Sequence, residues 1–229
     1  MLIPCIDLQQ GQAVQLVHGR RRELAVADVP GLLERFSGYD WLHVIDLDAA
    51  MRKGHNDRLV RYLVLEAHQK FRMQVRVGGG VRTISRAKVL VKLGATQVIV
   101  GSAAFQNGRP HLPFLKRLAA AVGKKHLIIA LDTDRGRIVT NGWRKRLSIE
   151  PAEIFAAVDP YCAGFLCTDV DREGTMTGAN LKWFRSLREA TNHPIIAAGG
   201  ISTTREIRAL EKIGMDAAVG MALYKNRVH

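Results

Sequence analysis

The sequence predicts a (β/α)8 barrel, the TIM-barrel class, assembled from two similar half-barrels. Three observations carry this. Eight short apolar runs recur along the 229 residues, with helix-like segments between them. A glycine-rich stretch that follows one run, 77–83 (VGGGVRT), has a second copy at 197–203 (AAGGIST). Polar or glycine clusters fall at the C-terminal ends of the runs, where this fold keeps its chemistry.

The runs are 2–6, 41–47, 73–77, 97–100, 127–131, 164–167, 194–198 and 217–219. Short continuous apolar runs are the pattern of strands covered on both faces, as in a parallel sheet. The segments between them carry helix punctuation. Asn56 is placed to cap a helix through about His68, and Thr83 or Ser85 to cap one that stops before Gly94. Pro151 suits the first turn of a helix through about Val158, and 203–206 (TTRE) is a capping-box pattern ahead of Gly214. Strands alternating with helices make right-handed crossovers. Eight such units favour closure into a barrel over a doubly wound sheet, and the span 1–229 is expected to form a single catalytic domain.

The half-chain repeat is the stronger signal. Gly79/Gly199, Gly80/Gly200 and Thr83/Thr203 share an offset of 120 residues, and VGSAAF at 100–105 returns as VGMALY at 219–224. Asp7 and Asp132, 125 apart, each end an apolar run; Asp46 and Asp169, 123 apart, sit in IDLD and CTDVD. Glycines between a strand and a helix N-terminus let the backbone approach an anion, and the free N–H groups with the helix dipole favour phosphate. One such loop is equally well a tight turn. Two matched pairs point to two phosphate sites across one mouth. Facing Asp7 and Asp132 then suit proton transfer on an elongated substrate phosphorylated at both ends. On this reading, valine at Gly80 or Gly200 should block a phosphate and leave the fold intact. Asp46 and Asp48 read as structural. Trp143 is placed either to stack on a flat ring over the mouth or simply to pack.

Composition narrows the classes. The net charge of +13 suits polyanions, nucleic acid or a multiply phosphorylated small ligand. The basic runs at 20–22, 124–125 and 144–146 are short, scattered and not interleaved with aromatics, so no nucleic-acid module is legible. Cys5, Cys162 and Cys167 have no CxxC or metal-ligand spacing and read as reduced thiols of a cytoplasmic protein. His18, His43 and His55 show no ligand spacing either. Met1 leads directly into a strand-like run, with no signal-peptide pattern and no run of membrane-spanning length.

The motifs IPCIDLQQG, WLHVIDLDAA, VRVGGGVRT, VIVGSAAF, LDTDRGRIVTNGW, CTDVDREGTMTG, AAGGIST and VGMALY span nearly the whole chain in order. Together they resemble the phosphoribosylformimino-5-aminoimidazole carboxamide ribotide isomerases of histidine biosynthesis. The resemblance implies an Amadori rearrangement of a bisphosphorylated aminoaldose to its aminoketose, with no metal, no cofactor and no obligate protein partner. It implies Asp7 as the base at C2 and Asp132 as the acid that opens the ribose ring. It further implies Thr168, Trp143, Asp169 and Arg82 as substrate contacts. Gly80, Gly101 and Ser102 would bind one phosphate, and Gly178, Gly199, Gly200, Gly220 and Met221 the other. The chain departs from the family in three places. Gln15 stands where an arginine is usual, the arginines at 20–22 replace an acidic or mixed loop, and the closing helix is expected to be short or missing. Two relatives compete: the cyclase subunit of imidazole glycerol phosphate synthase, which needs a glutaminase, and a bifunctional isomerase also acting on phosphoribosylanthranilate. Gly142–Trp143 and Thr168–Asp169 fit the isomerase better than the cyclase.

Overall fold

A computed structural model describes residues 1–228. Eight parallel strands form its barrel: β1 Leu2–Gln9, β2 Trp41–Asp46, β3 Gln74–Gly78, β4 Gln97–Val100, β5 Leu127–Asp134, β6 Gly164–Asp169, β7 Ile195–Ala198 and β8 Met215–Val219. Each pairs with its sequence neighbour, and β8 pairs with β1 to close the ring, so two pairings join the half-barrels. At one, Ile99 of β4 lies beside Ile128 of β5; at the other, Ala218 of β8 lies beside Ile3 of β1.

Alternation along the strands divides the core in two. Ile3, Ile99, Ile128, Ala130, Leu166, Ile196 and Ala218 fill the barrel interior. The opposite faces meet the surrounding helices in a larger apolar layer. Helix α3, Asp57–Gln69, shows the pattern: Val60, Leu63, Val64 and Ala67 share one buried stripe at helical spacing. Helices α4, Ile84–Leu93, and α8, Thr204–Lys212, begin at equivalent caps. Thr83 accepts a hydrogen bond from the Arg86 N–H, and Thr203 accepts one from Glu206, whose carboxylate completes the capping box.

The structure corrects several expectations. β1 and β5 run past their apolar cores to Gln9 and Asp134, because each turns into a hairpin rather than a loop. The hairpin turns are Gln10–Gly11 and Arg135–Gly136, with positive φ at both residues of each, which matches the twist of the flanking strands. The return strands are Gln12–Val17 and Arg137–Thr140. A third strand, Arg21–Val26, continues the first hairpin, so the basic run at 20–22 is largely strand. The helix expected from Pro151 breaks into a 3-10 turn, Pro151–Glu153, and a short α6, Phe155–Val158. Asn56 stands at the N-cap of α3 but turns its side chain inward. One expectation holds: among the described residues, the helix after β8 is short, the four-residue α9, Met221–Tyr224.

Candidate active site

The C-terminal ends of the strands enclose a cavity of about 250 Å³. Its wall includes Asp7, Gly80, Arg82, Gly101, Ser102, Asp132, Trp143, Thr168 and Gly220. These residues, up to 213 positions apart in sequence, converge because each ends or follows a barrel strand. Asp169, Gly178, Gly199, Gly200 and Met221 do not line the cavity.

The reason is the segment after β6. Arg172 donates to the Gly178 carbonyl at 3.0 Å, and the Gly178 N–H donates to the Gly200 carbonyl at 3.0 Å. This folds the segment over the second glycine loop. Asp169 is 5 % exposed and stands 3.7 Å from the Arg172 guanidinium. It works as an internal support of the segment.

On the first side, Arg82 donates to the Ala49 and Ala50 carbonyls at 2.8 and 2.5 Å. It therefore caps the C-terminal end of α2, Leu47–Met51, while its guanidinium faces the cavity. Asn56 knits this corner together. It donates to Asp46 and Asp48 at 2.8 and 3.0 Å and accepts from the Gly11 N–H at 3.0 Å. Asp46 also caps α2, and Asp48 accepts from Gln10 at 2.6 Å. Both aspartates are structural, and they fix the first hairpin to β2.

Glycine at 80 and 200 proves to be a requirement of the backbone itself. Both residues are left-handed, at φ +70° and +74°. An added Cβ would come within 2.7 Å of Ala49 Cβ at Gly80 and of Arg172 Cβ at Gly200. Valine at either position strains the turn before any ligand binds, so the expected intact fold does not hold.

Two hairpin tips roof the cavity. The Trp143 ring lies against Gly19, where any side chain would collide with it. Trp143 itself is left-handed at φ +64°, an uncommon conformation for a bulky residue. Its indole Nε1–H donates to Asp132 Oδ2 at 2.8 Å, and the Asn141 N–H donates to Ser102 Oγ at 2.7 Å. The tryptophan thus holds a carboxylate, a role its sequence position did not reveal.

Sequence reading missed a third carboxyl group, Glu173. The segment after β6 carries it to the cavity wall, where the His18 N–H donates to the Glu173 carbonyl at 2.9 Å. Its only sequence signal was an acidic residue inside CTDVDREGTMTG, given no role there. Gln15 was noted as a departure but not placed. It is 3 % exposed and packs directly against Gly220.

The three carboxyl groups differ electrostatically. Burial pushes Asp7 up to about 7. Burial pushes Glu173 up to about 8, with the charges of Asp7, Asp132 and Asp169 adding to it. Burial also raises Asp132, but hydrogen bonds from Trp143 and Thr168 pull it back. Like charges sharing a low-dielectric site cannot all ionise together, so near neutrality the trio holds at least one proton.

The histidine biosynthesis protein family matches residues 1–229. The chain belongs to this family. Its relatives include the 1-(5-phosphoribosyl)-5-((5-phosphoribosylamino)methylideneamino) imidazole-4-carboxamide isomerase of Methanocaldococcus jannaschii, 33% identical, with 100% of this chain and 95% of that protein aligned. The isomerases of the same name from Methanococcus voltae and Methanosarcina barkeri are 35% and 34% identical; the alignments cover 98% and 99% of this chain and 93% of each relative. Membership of the histidine biosynthesis family extends over both half-barrels, so the cavity between them lies wholly within the matched region. Among the described residues, no helix is long and apolar enough to cross a membrane.

Proposed function

We propose that this chain is the isomerase of histidine biosynthesis that converts the phosphoribosylformimino aminoaldose to its phosphoribulosyl aminoketose. It acts as a single catalytic domain on a small bisphosphate, in the cytoplasm, without an obligate protein partner. The observation that carries this reading is the trio of carboxyl groups, Asp7, Asp132 and Glu173, gathered at one cavity that Gly80, Gly101 and Gly220 also line. The full-length likeness to proteins named as this isomerase supports it.

The chemistry follows from the site. A carboxylic acid protonates the ribose ring oxygen, the C1–O bond breaks, and the nitrogen lone pair forms an iminium at C1. Asp7, a base poised near neutrality, removes the C2 proton. The electrons of that C–H bond form the enol-amine, which gains a proton at C1 while its C2 hydroxyl gives one up, leaving the ketone at C2. Hydrogen moves within one substrate, so the rearrangement consumes no redox reagent. Asp132 is the acid in the sequence-based assignment. Glu173 is a second candidate, favoured by one observation: it is raised to about 8 and holds its proton at neutral pH. Gly80, Gly101 and Ser102 are proposed for one phosphate. Gly220 stands at the cavity for the other, with Gly178, Gly199, Gly200 and Met221 joining it once the segment held by Arg172 moves aside. Trp143 and Thr168 border the reacting sugar.

Turnover of the bisphosphate aminoaldose by the purified chain, with and without a glutaminase and ammonia, tests the assignment. Isomerisation in the absence of both is expected. Turnover only of the ketose, dependent on ammonia, would overturn it in favour of the cyclase. Asp7→Asn should lower kcat by about 10²- to 10⁴-fold, the usual contribution of a general base, while binding persists.

A further inference from the structure

Beneath the carboxyl groups the cavity floor is apolar, made of Ile99, Ala130, Leu166 and Ala218. One imidazole interrupts it. His43 of β2 lines the cavity and is 1 % exposed, and its Nε2 is buried without a hydrogen-bond partner. Buried polar atoms in folded proteins are almost always paired, so an open one beside a ligand cavity calls for an explanation.

The strand register supplies the setting. His43 lies between Cys5 of β1 and Arg76 of β3, one step deeper in the barrel than Asp7, which pairs with Ile45. Arg76 is 6 % exposed; its guanidinium stacks over the Trp41 ring at 3.6 Å, and its Nε–H donates to Gln97 at 2.6 Å. Its Nη1 is also buried without a partner. A guanidinium keeps its charge in proteins, so a fixed cation stands behind the imidazole. Burial, with that cation, holds His43 well below the ordinary histidine range and hence neutral.

A neutral imidazole suits a neutral partner. The phosphates are proposed for the glycine-bearing strand ends, whereas His43 lines the cavity deeper along the strands than Asp7. Resting on the isomerase reading above, we propose that His43 binds the reacting sugar from below, through a hydrogen bond to the hydroxyl next to the reacting carbon. Arg76 acts through it as a positioning residue, keeping the ring an uncharged partner.

The experiment compares wild type, His43→Leu and His43→Gln on the bisphosphate aminoaldose and on its analogue lacking the C3 hydroxyl of the reacting sugar, with thermal unfolding measured in parallel. His43→Leu should lower kcat/KM on the parent substrate about 10- to 100-fold, and His43→Gln should recover most of it by restoring a neutral hydrogen-bonding group. Wild type should lose a similar factor on the deoxy analogue, and His43→Leu should lose nothing further on it. Near-wild-type turnover by a folded His43→Leu would overturn the proposal. So would equal turnover of both substrates by the wild type, a result that stands even if the leucine variant does not fold. Absence of any turnover by the wild type would overturn the isomerase reading instead.

Discussion

At equivalent points of the two half-barrels, a Cβ added at Gly79 or Gly199 would collide with the carbonyl oxygen of Asp46 or Asp169. One residue on, a Cβ at Gly80 would collide with that of Ala49 and one at Gly200 with that of Arg172, each three positions after its aspartate. The duplicated backbone is therefore preserved to the level of single contacts. What hangs on it is not. In the first half the aspartate caps α2 and binds Asn56, and the glycine loop is open to the cavity. In the second half no helix forms there; Arg172 and Gly178 fold over the loop and carry Glu173 to the site. The two aspartates proposed for catalysis diverge likewise. Asp7 is raised by burial alone, whereas burial raises Asp132 against hydrogen bonds from Trp143 and Thr168 that pull it back. A symmetric scaffold thus acquires asymmetric surroundings through side chains on the segments after the strands, as the proposed base and acid require.

The largest effect expected from breaking this asymmetry is on turnover. Asp132→Asn and Glu173→Gln each remove one candidate acid, and the true acid should cost about 10²- to 10⁴-fold in kcat. The pH profile of kcat/KM sharpens the choice. Activity should fall as pH drops through about 7, where Asp7 gains its proton. If Glu173 is the acid, activity should also fall as pH rises through about 8, and Glu173→Gln should remove that limb along with most of the rate. A limb that persists in Glu173→Gln assigns the proton to Asp132. Stability carries the same information with a definite sign. Glu173 has a raised pKa in the folded state, so its stabilising contribution is present at low pH and lost as pH rises through about 8. Glu173→Gln should accordingly raise Tm more at pH 9 than at pH 5.

A middle-sized effect separates the structural devices of the two halves. Asn56→Ala leaves Asp46 and Asp48 short of a buried donor and should cost about 2–3 kcal/mol in chemical denaturation. Glu206→Ala removes the capping-box carboxylate of the second half and should cost about 1 kcal/mol. Equal losses would mean that the two corners are held with equal force despite their different chemistry.

The smallest effect concerns the first hairpin alone. Arg20, Arg21 and Arg22 are exposed on it, with Arg21 paired to Glu23 at 2.7 Å. Neutralising all three should lower kcat/KM by a few-fold at low salt and less at high salt, because screening removes long-range steering of a bisphosphate. An equal loss at both ionic strengths would rule out steering.

Strand positions were legible because parallel strands are written as apolar runs, and Gln97–Val100 matches its run end to end. The caps at Thr83 and Thr203 were legible because capping is local. The hairpins after β1 and β5 were not, since Gln-Gly and Arg-Gly are weaker turn signals than Asn-Gly. At the site, Asp7 and Asp132 stood out because each breaks an apolar run. Glu173, the Trp143–Asp132 bond and the inward turn of Asn56 were hidden: each depends on which distant segment folds back onto it, and no spacing along the chain encodes that.

The two pairings that join the half-barrels have a consequence for how such a molecule can be assembled. Ile99 beside Ile128 and Ala218 beside Ile3 are the same joint made twice, the trailing edge of one half against the leading edge of the other. A half-barrel with these edges is self-complementary: its last strand fits its own first strand through a two-fold axis. A free half would leave both edges unpaired, a strong drive to associate, and two identical copies would meet through an isologous contact of the kind that builds closed dimers. The fused chain makes that association intramolecular, leaving each copy free to change its side chains without spoiling the other.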